Sequence, residues 1–252
     1  SHDLDCVRWL MGSPIERIYL ETANFKGAER GVTIDRFYDN MIASIRVGVD
    51  SQKAAEDAFI RQAERANKLG VNIEAVTTNY ARMLAGAKGT AVQGQAVEDI
   101  FGALVETSAV LSLNSDQLGG ILNAVTQIMS KGKVQAEELR GQLGERLAGA
   151  FNIAARAMGV TTAEMDKMLE QGLVPAGKFI PLFAAELRKQ FGAALPEAIQ
   201  RSGASIERFN NQIFLLKILF AKSGFLDGLV AGMDRLAEIM KTPEFQNMAT
   251  TF

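Results

Sequence analysis

A chain of 252 residues, 48% of them hydrophobic and 22% charged, has enough apolar material for one large or two small cores, which excludes a disordered polar chain. Its net charge of −2, with acids and bases interspersed, excludes a basic tract that would hold nucleic acid or an anionic membrane by charge. The single cysteine, Cys6, excludes an internal disulfide and fits a reducing compartment.

Residues 1–46 read differently from the rest. "HDLDCVRWLMG" has the pattern of a short helix stopped at Gly12. "PIERIYLET" places Ile18, Leu20 and Thr22 on one face of a strand. "RFYDNMIASIRV" sets Phe37, Asp39, Met41, Ala43, Ile45 and Val47 against Tyr38, Asn40, Ile42, Ser44 and Arg46, the period-two signal of a half-buried strand. The expectation is a small α+β segment. A chain that opens on Ser1 is expected to be a piece of a longer one, and it carries no signal-peptide pattern.

From residue 47 onward the pattern is helical with punctuation. Asp50 or Ser51 caps a helix that stops at Gly70. Asn72 caps the next, with Ile73, Val76, Tyr80 and Leu84 on one face and Gly86 and Gly89 at its end. A third helix carries Val97, Ile100, Phe101, Leu104, Val105 and Leu111. Asn114, three residues before Gln117, opens a fourth with Leu118, Ile121, Leu122, Val125, Ile128 and Met129 inward. Ser130–Lys133 is a turn. Beyond it Leu139, Leu143, Leu147 and Phe151 recur every fourth residue. Thr161 and Glu164 form a capping box for a helix that ends at Gly172. Pro181 and Pro196 each mark a helix start, and Glu207–Met240 reads as two helices around Gly224. The longest apolar run, "IFLLKILF" at 213–220, is interrupted by Lys217 and is far shorter than the roughly 20 residues of a membrane span. The predicted fold class is mainly α: a multi-helix packed domain of short helices, preceded by the small α+β segment. The predicted divisions are 1–46, a helical domain at 47–191, and C-terminal helices at 192–252.

No constellation for chemistry emerges. "GLVPAGKF" at 172–179 matches G-x-x-x-x-G-K, but Phe179 stands where a phosphate loop needs Ser or Thr, and a helix precedes it instead of a strand. With one histidine, His2, and one cysteine the chain lacks the ligands of an ordinary His/Cys metal site. Glu137 and Glu138 are helix neighbours whose side chains diverge by about 100°, unlike a facing acid–base pair. Lys131 and Lys133 read as a solvated turn. Gly141, Gly144 and Gly149 each cost about 1 kcal/mol in a helix interior, so they mark breaks or close backbone approach. The expected catalytic, cofactor-binding and metal residues are none, and the expected cofactors are none.

"SKGKVQAEELRGQLGERLAGAFNIAARAMGVTTAEMDKMLEQGLV", Ser130 to Val174, closely resembles the tape-measure domain of tail length tape measure proteins of tailed phages and prophages. The family's stretch reads S-K-G-K-V-x-x-E-E-L-R-x-Q-L-G-E-R-L-P-G-A-F, then A-M-G-V-T-T-x-E-L. Ala148 replaces the usual Pro and Met165 the common Leu. The resemblance runs upstream through "LGVNIEAVTTNYARMLAGAKGT" and "GQAVEDIFGALVETSAVLSL" and fades after Phe191. It implies a non-enzymatic structural protein that occupies the tail tube lumen, sets tail length and scaffolds tube assembly. The implied partners are tail tube subunits and tail assembly chaperones. The implied location is the virion tail, assembled in the bacterial host cytoplasm, with membrane contact only during ejection and no specific nucleic acid binding. A single helix of all 252 residues would measure about 380 Å. The caps and glycines forbid such a helix, so the ruler is expected outside this chain.

Residues 1–46 are similar to the second domain of glucose–fructose-oxidoreductase and inositol-dehydrogenase-like enzymes, in which an H-D-x-D helix precedes antiparallel strands. That resemblance would make His2 an active-site position. The aspartate usual four residues earlier and the G-x-G-x-x-G of a nucleotide-binding domain are both missing. A remnant NAD(P)-dependent oxidoreductase segment and a generic helical partner-binding module are the alternatives to the tape-measure role. Phe209, Ile213, Phe214, Leu216, Ile218, Leu219 and Phe220 offer more apolar surface than one helix face buries, so self-association is a further expectation.

Overall fold

The computed structural model describes residues 34–222. Asn40–Leu215 form one compact unit. The other unit takes residues 1–39 and 216–252, and its described portions are helical. The predicted helix at 2–12, the strand at 14–22 and the helix beyond Gly224 lie outside the described residues.

Helix α1, Ile34–Arg46, corrects the strand predicted there. Met41, Ile42 and Ile45 are buried at the spacing of one helix face, while Ala43 and Ser44 are exposed. The same twelve letters satisfy a period of two and a period of 3.6, and tertiary burial selects the second.

The next elements follow their caps. Ser51 Oγ accepts from Ala54 N at the start of α2, Gln52–Leu69. Gly70 ends α2 with φ +66, where a Cβ would also collide with Ala204. Asn72 caps α3, Ile73–Ala87. Helix α4, Gln95–Leu111, ends on Ser112, the one non-glycine at positive φ among the described residues. Arg201 Nη1 donates to Val110 O at 2.9 Å and Ser112 Oγ at 3.2 Å, placing a cation on that C-terminus. A complete capping box, Asn114 with Gln117, opens α5, Ser115–Lys131. Another, Thr161 with Glu164, opens α7, Thr162–Glu170, which follows α6, Ala150–Met158.

Helix α8, Ala176–Phe191, is the centre of the unit. It packs on α4, α5 and α6, and Phe179, Ile180, Phe183 and Leu187 are fully buried. The Phe179 and Phe183 rings stack at 5.0 Å between centroids. Its start is fixed by Pro175 as N-cap, so Pro181 lies inside the helix and not at its beginning. The missing N–H of Pro181 leaves the Gly177 carbonyl without its helical donor. Pro196 does stand in the first turn of α9, Leu195–Ala198, as expected. Helix α10, Ser202–Lys222, begins before the predicted Glu207.

Two loops meet across the unit. Val134 N donates to Val174 O and Ala176 N to Gly132 O, each at 2.9 Å. This two-bond clamp, with Val134 and Val174 both fully buried, joins the end of α5 to the start of α8.

Candidate functional site

The segment with the strongest sequence signature builds three linked features. The first is a π-helical turn, Glu137–Leu143. Such widened turns occur mostly as brief insertions. Leu139, Leu143 and Leu147 are all fully buried, so the predicted four-residue recurrence is the inward face of this turn and its exit. Phe151, the fourth member, is only half-buried.

The second is an ion pair between an exposed lysine and a buried carboxylate. Glu138 is fully buried while its neighbour Glu137 is exposed, so the two carboxylates do part company. Lys131 Nζ donates to Glu138 Oε1 and, at 2.9 Å, to Gln135 Oε1. The hydrogen bond to Glu138 holds the Lys131 ammonium above its usual pKa. Glu138 Oε2 is buried and has no hydrogen-bond partner among the described residues. Lys131 is therefore no idle turn residue: it neutralises the one carboxylate that the π turn drives into the interior.

The third is an open cleft of about 430 Å³ lined by Arg140, Gly144, Gly149, Phe151, Thr162 and Asp166 among others. Arg140 is committed on two sides. It pairs with Asp166, and its guanidinium lies 4.2 Å from the Phe151 ring centroid. Gly144 is required because a Cβ there would collide with the Arg140 carbonyl. The cleft has one lining carboxylate, Asp166, which Arg140 takes up. Its chemistry is that of a braced corner between the π turn, α6 and α7.

Outside this segment, Glu98 in the first turn of α4 gathers donors from two other helices. Tyr80 Oη–H donates to Glu98 Oε1, and Gln62 Nε2 to Oε2 at 3.1 Å. Arg61 and Arg65 each approach within 3.5 Å. Burial first, and the bond to Glu98 second, push the Tyr80 hydroxyl far above its usual range, so it stays a donor. The network knits α2, α3 and α4 and matches negative charge to a helix N-terminus. No local pattern marks it, because its members lie up to 37 positions apart.

Asn211 also escaped prediction. It is buried on α10, where Oδ1 accepts from Ile73 N at 3.0 Å and Nδ2 donates to Val71 O at 2.8 Å. A polar residue beside the apolar run at 213–220 was the available signal.

Among the described residues no group of three or more His, Cys, Asp and Glu is placed to hold a metal ion. The G-x-x-x-x-G-K stretch forms the turn after α7, a short loop and the first turn of α8. His2 lies outside the described residues. No described helix is long and apolar enough to cross a membrane.

A family model described as "Tape measure protein" matches residues 32–218. The chain belongs to the tape measure protein family. A probable tape measure protein of Salmonella phage Felix O1 (isolate Felix O1-VT1) is 34% identical to it over 189 residues. The aligned part is 74% of this chain and 24% of that relative, so this tape measure segment spans about a quarter of the relative's length. No solved structure matches the chain. The matched range runs past Phe191, where the sequence resemblance fades, and takes in residues 32–46, the last third of the segment whose sequence is similar to the oxidoreductases. Tape measure proteins are structural components of the phage tail, and the braced, helix-to-helix character of the polar networks above accords with that role.

Proposed function

We propose that this chain is a folded domain of a tape measure protein that sets tail length and scaffolds assembly of the tail tube. In this role it works inside the host cytoplasm before the tail is complete, and its partners are tube subunits and tail assembly chaperones. The observation that carries the reading is the family match over residues 32–218, which coincides with the packed helical body. Polar side chains in that body are spent on bracing helices, as at Glu98, Glu138 and Asn211.

Within that role the domain supports assembly and the distance is measured elsewhere. A ruler adds tail length in proportion to extended helix, about 1.5 Å for each residue. Packed short helices do not; the longest described one has 21 residues. The test is an in-frame deletion of residues 47–191 in the phage gene, with tails measured by electron microscopy. The expected result is failed or irregular tail assembly. Intact tails shortened by about 1.5 Å per deleted residue would overturn the assignment. Capture of purified tube subunit or tail chaperone by the chain tests the partners, and no binding of either would remove them.

A further inference from the structure

We draw no further inference here: the strongest candidate, the open cleft between the π turn, α6 and α7, belongs to the site already described, where Asp166 and the Phe151 ring take up Arg140 and no buried unpartnered polar side chain among the described residues lines it.

Discussion

Asn211 braces the α2–α3 junction. Its amide satisfies a buried donor and a buried acceptor of the main chain at once. Asn211→Ala strands both, and each stranded buried group costs about 1–3 kcal/mol. A loss of about 2 kcal/mol or more is expected in urea unfolding; a change within experimental error would mean that water replaces the amide. Titrating side chains make the stability of the fold depend on pH. Arg156 first, then Lys189, hold the Glu186 carboxyl below its usual 4.5, while the Thr161 N–H and hydroxyl do the same for Glu164. A lowered folded pKa contributes stability above the unfolded value and loses it as pH falls through the folded one. The melting temperature should therefore drop on acidification below about 4.5, with a shallower slope in the double variant Glu164→Gln, Glu186→Gln. At the alkaline end the sign reverses. Lys131, raised above 10.5 by Glu138, contributes fully below that value and ceases to as pH climbs through its folded pKa.

At the scale of elements, α8 and the π turn make opposite demands. Helix α8 is sensitive to lost volume. Phe179 is fully buried against Phe183, so Phe179→Ala should cost about 3–5 kcal/mol by chemical denaturation. The π turn is sensitive to added volume, at one glycine and not its neighbour. A Cβ at Gly141 meets nothing within 4 Å, whereas one at Gly144 collides with the main chain at Arg140. Gly141→Ala should leave the melting temperature unchanged or raise it, and Gly144→Ala should lower it clearly. Equal effects would show that the turn relaxes around both. Elements with local signals were legible beforehand. Ser51, Asn72, Asn114 with Gln117, and Thr161 with Glu164 cap where expected, because a cap is a contact within three or four residues. Helix α1 was not legible, since its letters fit two periods. Nor was the π turn, whose extra width leaves no compositional mark. The Glu98 network and the Asn211 clamp depend on residues 18 to 140 positions apart, which no local pattern reveals.

At the scale of the molecule, Asn40–Leu215 is the cooperating body. Its core draws on nearly every helix, and α8 reaches back to α4 through Arg188, which donates to Asp99 O at 3.1 Å. A fragment of residues 34–222 should keep the helical signal of that region and lose it in one sharp thermal transition. Two well-separated transitions would show that the π turn with α6 and α7 folds independently of the rest.

The clamp between Val134 and Val174 has a mechanical consequence. It fastens the two ends of the intervening loop side by side, so tension applied along the polypeptide passes from Val134 to Val174 through the pair of main-chain bonds. The π turn, α6 and α7 hang outside that line of force. While the clasp holds, a stretch on the chain straightens neither the Arg140–Asp166 corner nor the capping box at Thr161; once it parts, the load falls on the packing of the π turn against α5 and of α6 against α8.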